Sequence, residues 1–327
     1  MTVLVTGASG FIGSRLTAAL VERGETVRVL RRAGSRLDGL AGLPVEHAVG
    51  NLLDPASLER AVAGCDVVYH VAAIASYWRE APELVYTVNV DGTRNVMAAC
   101  LKASVSRVVH TSSVAAIGIP PPGTLSTEAT PFDTVSATFP YADSKRLAEE
   151  EVYRAVEGGL SAVIVNPGVV IGAGDHNLIS GSIIVQMARR PIPVVPPGGA
   201  CMADVDAVVE GHLLAARGGR TGERYILGGE NLTYREIADI VAQVVGRSAP
   251  RWAIPDWMLG PASGAVDVFN RIAGRPPAFN GQQVRLSGYD LFFDSSKAVR
   301  ELGYPILPFA AAAEKAYRWY REHGFLA

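Results

Sequence analysis

A glycine-rich segment near the N-terminus, residues 6–13 (TGASGFIG), most constrains what this chain can fold into. It directly follows a short apolar run and opens a helix-like stretch, residues 11–23. In such a strand–turn–helix unit Gly7 permits the tight turn, Gly10 lets backbone amides approach a pyrophosphate, and Gly13 lets the helix pack closely on the strand. The unpaired N–H groups at the helix N-terminus then face the phosphates. The segment therefore predicts a dinucleotide site, whose contacts we assign to Gly7, Ser9, Gly10, Phe11, Ile12 and Gly13.

The first half of the chain alternates short apolar runs with longer helical patterns. Most of the runs, such as residues 27–30 and 67–71, lack the in-and-out alternation of a half-exposed strand, as expected for strands that are covered on both faces. Strands that alternate with helices predict right-handed βαβ units and a parallel sheet. We therefore predict an α/β fold built on a Rossmann-type, doubly wound parallel sheet.

The pattern changes after about Gly172, where irregular, proline-rich chain precedes further helical patterns. We predict a dinucleotide-binding Rossmann domain at residues 1–172 and a smaller, mostly helical substrate-binding lobe at residues 173–327. The two units need not be contiguous, because residues 201–228 could return to the sheet.

The charge balance and the cysteines indicate which partners and which cellular compartment to expect. Lysine and arginine number 30 and aspartate and glutamate 32, for a net charge of −2, which argues against a protein that wraps a nucleic-acid backbone. No run approaches the roughly 18 apolar residues of a membrane span, and no signal-like segment precedes the first strand. The cysteines Cys65, Cys100 and Cys201 are odd in number and lack metal-ligand spacing. We expect a cytoplasmic protein without a metal site, nucleic-acid partner or membrane association.

The end of the second strand bears on which dinucleotide would bind. NAD sites place an acidic residue there to bond the ribose 2′-OH, but here Arg31 and Arg32 follow the strand and the first carboxylate is Asp38. Arginine meets a 2′-phosphate by a forked, charge-assisted contact. A solvated basic loop is the alternative interpretation. The absence of the acidic residue favours NADP(H), with NAD as the alternative.

Three further residues carry acid–base chemistry. Tyr141 and Lys145 are four apart on a predicted helix and therefore share a face. A phenol with a pKa near ~10 is a poor acid at neutral pH, but a nearby cation lowers that pKa, so we expect Tyr141 to act as a proton donor to a carbonyl oxygen. Ser113 follows a predicted strand at residues 107–110, where catalytic groups of open α/β sheets collect.

Together these residues resemble the extended short-chain dehydrogenase/reductase superfamily, and the resemblance extends over essentially the whole chain. Within it, the sequence is most similar to dihydroflavonol reductase-like proteins and to bacterial hopanoid-associated sugar epimerases. The segments that carry the resemblance are residues 6–13, 66–73 (DVVYHVAA), 88–96 (VNVDGTRNV), 111–113 (TSS), 141–145 (YADSK), 166–168 (NPG) and 223–232 (ERYILGGENL).

The resemblance implies roles at the matching positions. Tyr141 would be the general acid/base, Lys145 would hold the nicotinamide ribose and lower the tyrosine pKa, and Ser113 would bind the reacting oxygen. Asn89 would support Lys145. We assign further cofactor contacts to Arg31, Arg32, Asn51, Leu52, Ala72, Ala73, Pro167, Val169 and Val170. Two positions depart from the family pattern: Asn51 stands where the family often has aspartate at the adenine, and Asp204 where it often has histidine.

Three functions compete. The first is an NADP(H)-dependent oxidoreductase that reduces an aldehyde or ketone, or oxidises the alcohol. The second is an NAD-dependent nucleotide-sugar epimerase or dehydratase, which the absence of an arginine in residues 198–202 disfavours. The third is a cofactor-binding regulator without chemistry, which the intact tyrosine and lysine disfavour. We expect a small carbonyl or alcohol substrate, contacted by Ser113, Tyr77 and Trp78, and a homodimer of the kind that relatives form.

Overall fold

The computed structural model of the protein describes residues 1–75, 80–273 and 281–326. Its strands are β1 (Thr2–Thr6), β2 (Thr26–Arg31), β3 (Glu46–Val49), β4 (Val67–His70), β5 (Arg107–Thr111), β6 (Ala162–Pro167), β7 (Val169–Ile171), β8 (Val194–Val195), β9 (Gly199–Asp204), β10 (Arg224–Leu227), β11 (Glu230–Thr233), β12 (Trp252–Ala253) and β13 (Asp290–Leu291). Its α-helices are α1 (Phe11–Glu22), α2 (Pro55–Val62), α3 (Pro82–Tyr86), α4 (Gly92–Lys102), α5 (Pro140–Glu157), α6 (Ser182–Arg189), α7 (Val205–Gly218), α8 (Tyr234–Val245), α9 (Leu259–Ala273), α10 (Gly281–Leu286), α11 (Ser296–Leu302) and α12 (Phe309–Glu322).

The main sheet confirms the predicted fold class. Seven strands lie in the order β10-β6-β5-β4-β1-β2-β3, and each pair is parallel. The chain order reverses beside β1, which has β2 on one side and β4 on the other. In open α/β sheets such a reversal opens a crevice at the carboxyl ends of the strands, and ligands bind there. The glycine-rich segment leaves β1 at this point.

Apolar packing covers both faces of this sheet. On one face α1 and α7 bury a layer that includes Leu16 and Val165. On the other face α2, α4 and α5 bury a layer that includes Leu58 and Met97. Strand β6 is buried at all of its positions, which explains why its sequence reads as a continuous apolar run.

The C-terminal half adds more strand than its sequence pattern predicts. Strand β9 pairs with β7, β11 and β13 in a small sheet, and β8 pairs with β12. Helices α6, α8 and α12 pack around this small sheet. Strand β10, which lies within residues 201–228, pairs with β6 in the main sheet. Strands of two to six residues are too short to show a clear period, so the sequence predicted a mostly helical lobe in this region.

Residues 82–102 form three consecutive helical segments. Helix α3 continues into a π-helical turn, Thr87–Asp91, and then into α4. Asn89 lies in this turn and is 1% exposed. Within the part of the chain that the structure describes, no helix is both long enough and apolar enough to cross a lipid bilayer.

Candidate active site

The glycine-rich turn forms a backbone cradle that only glycine permits. Gly7 has φ +72°, a conformation that side chains rarely adopt, and its carbonyl accepts the Gly10 N–H at 2.9 Å. A Cβ on Gly7 would lie 2.6 Å from the Ala72 nitrogen. A Cβ on Gly13 would collide with the Gly7 carbonyl oxygen. The N-terminus of α1, capped by Gly10 without a side-chain hydrogen bond, therefore stays open to a phosphate, as a dinucleotide site requires.

The end of β4 is held against this cradle by a short chain of hydrogen bonds. His70 Nδ1 lies 2.8 Å from Thr6 Oγ1, and that hydroxyl accepts the Ala72 N–H at 3.2 Å. The contacts bring Ala72 and Ala73 to the carboxyl edge of β4, beside the turn at Gly7. Their contact with the cofactor stays a prediction.

Arg31, the last residue of β2, and Arg32, which follows it, have no carboxylate partner among the described residues. Arg32 is exposed, and the buried Nε of Arg31 has no hydrogen-bond partner within the described ranges. Arg36, by contrast, is paired with Asp38 at 2.9 Å. The loop thus carries two uncompensated positive charges at the carboxyl end of β2, a composition that suits a phosphate.

Asn51 and Leu52 follow β3 at the same edge of the sheet. Asn51 is exposed, and its Oδ1 accepts the Leu53 N–H at 3.1 Å. Leu52 is buried at 8% exposure, and its carbonyl accepts the Asn95 Nδ2 group at 2.9 Å. The side-chain oxygen of Asn51 is therefore already engaged within its own turn, and its second lone pair is left to accept from an adenine amine.

The structure brings Ser113, Tyr141 and Lys145 together at the carboxyl end of β5. Tyr141 lies in the first turn of α5, where its hydroxyl forms a hydrogen bond with the Ser113 side chain. Lys145 lies one turn further along α5, and its Nζ donates to the Thr111 carbonyl at 2.8 Å. Both side chains are buried, at 9% exposure for Tyr141 and 4% for Lys145. A hydroxyl pair near a buried ammonium can supply a proton to an oxygen.

Burial shifts the pKa values of both Tyr141 and Lys145. It raises the pKa of the Tyr141 phenol, and the hydrogen bond with Ser113 opposes the rise. This direction is opposite to the lowering that the sequence predicts, because desolvation of the phenolate outweighs its stabilisation in the buried setting. Burial lowers the pKa of Lys145 to about 8, while the carboxylate of Glu149 acts in the other direction.

Asn89 is next to this group, and its side-chain hydrogen bonds among the described residues go to Ile74 and Ser144. Its Oδ1 accepts the Ile74 N–H at 2.8 Å, and its Nδ2 donates to the Ile74 carbonyl at 3.1 Å and to Ser144 Oγ at 3.0 Å. Asn89 thereby joins the π-helical turn to the segment after β4 and to α5. Its support of Lys145 stays a prediction.

Two sets of predicted contacts remain. Pro167 ends β6, and β7 follows directly with Val169 at 38% exposure and Val170 at 6%. Val169 is therefore available to a ligand at this edge, whereas Val170 is mostly packed. Tyr77 and Trp78 lie outside the described residues.

Three histidines, none of them among the predicted site residues, are buried behind the site. Burial lowers the pKa of His70 to about 3 and of His212 to about 4, and it lowers the pKa of His110 well below its usual range. His70 and His212 have hydrogen-bond partners on both ring nitrogens, but His110 has none among the described residues.

These depressed pKa values predict acid sensitivity. In the unfolded chain each histidine binds a proton below about pH 6.5, whereas the same histidine in the folded chain stays neutral. The free energy of unfolding is therefore highest above pH 6.5 and decreases as the pH falls below that value. In urea unfolding between pH 7 and pH 5, His110→Leu is expected to reduce the loss of unfolding free energy by up to about 1.4 kcal/mol per pH unit. Parallel pH dependences of wild type and variant would contradict this account.

The chain matches known proteins along its whole length. The model of the NAD dependent epimerase/dehydratase family matches residues 3–228. A Synechocystis protein that carries the name dihydroflavonol 4-reductase is 38% identical, over 98% of this chain and 95% of that protein. Sterol demethylase protein B of Methylococcus capsulatus is 36% identical, over 100% of both chains. The crystal structure of gox2253 superposes with a TM-score of 0.89 at 38% identity, over 100% of this chain and 99% of that chain.

These matches agree with the geometry of the site. The protein is an enzyme of the oxidoreductase type that uses a nicotinamide dinucleotide, and its reductase-like and epimerase-like relatives share one fold. Because the family model covers most of the chain and relatives cover all of it, the chain belongs to the NAD dependent epimerase/dehydratase family of extended short-chain dehydrogenases/reductases.

Proposed function

We propose that the protein is an NADPH-dependent reductase of an apolar ketone or aldehyde, able to oxidise the corresponding alcohol. The observation that carries the proposal is the hydrogen-bonded hydroxyl pair of Ser113 and Tyr141 beside the buried Lys145. The pair lies at the carboxyl edge of the sheet, on the same edge as the glycine cradle.

The glycine-rich turn and the basic residues at the same edge of the sheet fit a nicotinamide dinucleotide. Gly7, Gly10 and Gly13 would hold the pyrophosphate, Arg31 and Arg32 the 2′-phosphate, and Lys145 the nicotinamide ribose. When bound, the cofactor supplies the hydride for reduction or accepts it for oxidation.

The acid–base part of the reaction falls to the chain itself. Ser113 would donate a hydrogen bond to the carbonyl oxygen of the substrate, and Tyr141 would give its phenolic proton to the same oxygen. The Lys145 ammonium would then favour the phenolate that remains on Tyr141. Since the Tyr141 hydroxyl is buried, water competes little for this proton.

The names of the relatives support an apolar, polycyclic substrate class. One is named for reduction of a dihydroflavonol and another for demethylation of a sterol. Val169, which is exposed at this edge of the sheet, agrees with this class because its side chain is apolar.

Replacement of Arg32 tests the cofactor preference. Arg32 is exposed, and its backbone N–H bonds to Ser35 within its own turn. Arg32→Ala is expected to raise the KM for NADPH about 10- to 100-fold, the range of a lost charge-assisted hydrogen bond, and to leave the KM for NADH unchanged. Steady-state kinetics with both cofactors measures this. An equal loss for NADPH and NADH would show that Arg32 does not read the 2′-phosphate.

An NAD-dependent epimerase or dehydratase is the second candidate, and the family description favours it. Such enzymes clamp a sugar diphosphate with arginine, yet residues 198–202 contain none. Arg189, one alternative, already donates to the Phe325 carbonyl at 2.8 Å, which leaves Arg190. Extraction of nucleotide from the purified protein distinguishes the two functions, because tightly retained NAD would favour the epimerase.

A further inference from the structure

Glu149 is a carboxylate buried behind the catalytic group. It lies on α5 one helical turn after Lys145, and it is 2% exposed. Its Oε1 accepts Asn166 Nδ2 at 2.6 Å and its Oε2 accepts Arg224 Nη1 at 3.0 Å. A buried carboxylate is costly unless it is paired, so these contacts hold Glu149 in a defined place.

The contact with Asn166 connects Glu149 to Ser113. Asn166 lies on β6 and is fully buried, and its Nδ2 also donates to the Ser113 carbonyl at 2.9 Å. One amide group thus bridges the carboxylate on α5 and the backbone of the serine that follows β5. Because α5 also carries Tyr141, this bridge fixes the two hydroxyls relative to each other.

Glu149 also lies four residues after Lys145 on α5, so the two side chains share one face of the helix. Burial lowers the pKa of Lys145 to about 8, and Glu149 opposes this fall. The other titratable side chains that act on Lys145 from the neighbouring strands are His70 on β4 and His110 on β5, both neutral because burial lowers their pKa. Glu149 is therefore the charge of opposite sign that supports the Lys145 ammonium within the described part of the chain.

Arg224 supports the ionised form of Glu149. Burial raises the pKa of Glu149, and the guanidinium of Arg224 acts against this rise. Arg224 also donates to the Glu128 carbonyl, and the Glu128 carboxylate accepts the Ile226 N–H at 2.9 Å. The network thus extends from α5 through β10 to the long segment between β5 and α5.

We propose that Glu149 is a positioning residue. It holds Ser113 in place through Asn166, and its negative charge stabilises the buried Lys145 ammonium. It touches neither substrate nor cofactor. The inference rests on the roles that the proposed function gives to Ser113 and Lys145.

Titration of Lys145 in the cofactor-free protein tests this proposal directly. The chain has four lysines, Lys102, Lys145, Lys297 and Lys315. Carbon-13 labelling at lysine Cε therefore gives an NMR spectrum in which the Lys145 signal is assigned by its loss in Lys145→Arg. We expect Lys145 to titrate near pH 8 in the wild type, and at least about half a unit lower in Glu149→Gln.

Glu151→Gln is the matched control. Glu151 lies on the same helix, its side chain is 6% exposed, and it is also paired with arginine, Arg94 at 2.9 Å and Arg154 at 2.5 Å. It lies six residues from Lys145 and so on a different face of α5. The control is expected to leave the Lys145 titration unchanged. An unchanged titration in Glu149→Gln, or an equal shift in both variants, would overturn the proposal.

Glu149→Asp covers the case in which Glu149→Gln does not fold. It keeps the charge but shortens the reach to Asn166, so kcat is expected to fall while the Lys145 titration and KM stay close to wild type. An unchanged kcat in this variant would overturn the proposal. The NMR titration needs no substrate, so failure of the reductase function and failure of this proposal are distinguishable. If Glu149→Gln shifts the Lys145 titration but the protein reduces no carbonyl compound, the role of Glu149 is supported and the proposed reaction is refuted.

Discussion

Replacing Tyr141 with phenylalanine is expected to lower kcat by about 10²- to 10⁴-fold while NADPH still binds. The change removes only the hydroxyl, which forms the hydrogen bond with Ser113 and would carry the transferred proton. The ring remains to fill its buried place at the start of α5, so stability changes little. Steady-state kinetics and the NADPH-induced rise in Tm measure the two effects separately.

Tyr153→Phe is the control for this variant. Tyr153 lies on the same helix, where burial raises the pKa of its phenol to about 12, but it is twelve residues further along the chain than Tyr141 and packs against the apolar layer. We expect Tyr153→Phe to keep wild-type kcat. If Tyr141→Phe also kept it, Tyr141 would not be the general acid.

The second large effect is expected from Gly13→Ala. The added Cβ would overlap the Gly7 carbonyl oxygen and would lie 3.0 Å from the Ala8 Cα, so the turn must open. The atoms that the Cβ would meet belong to the backbone, which cannot move aside as the end of a flexible side chain can. We expect NADPH affinity to fall by at least about 100-fold, and the free energy of unfolding to fall by about 1–3 kcal/mol from overpacking. Calorimetric titration and urea unfolding measure these changes.

Gly264→Ala serves as the matched control for Gly13→Ala. Gly264 lies in α9, and a Cβ there meets no atom within 4 Å. Alanine in such an open helical position is expected to leave NADPH binding unchanged and to stabilise the helix slightly. Wild-type affinity and stability in Gly13→Ala would mean that the turn is not the close-packed cradle described here.

Local sequence determined what could be predicted. The turn at Gly7 and the spacing of Tyr141 and Lys145 depend on neighbours within a few residues, and the structure has the strand–turn–helix and the shared helix face that these patterns predict. The parallel sheet follows from the same local alternation. Each of these features can be read from a short window of the chain.

Features that depend on distant residues could not be predicted in this way. The contact between Arg224 and Glu149 joins residues 75 positions apart, and no periodic pattern marks it. The spacing of four between Lys145 and Glu149, by contrast, is a local signal that places the two residues on one helix face. The rise in the Tyr141 pKa likewise depends on burial, which the sequence does not specify at a helix start.

The most direct test of the proposed reaction follows the hydride itself. NADPH deuterated at C4 is incubated with the protein and a panel of apolar cyclic ketones, and the alcohol product is analysed by mass spectrometry. We expect deuterium to appear on the carbinol carbon of at least one alcohol, and Tyr141→Phe to suppress formation of that alcohol. Absence of labelled alcohol from every ketone, together with NAD retained by the purified protein and turnover of a nucleotide sugar, would contradict the proposed reaction.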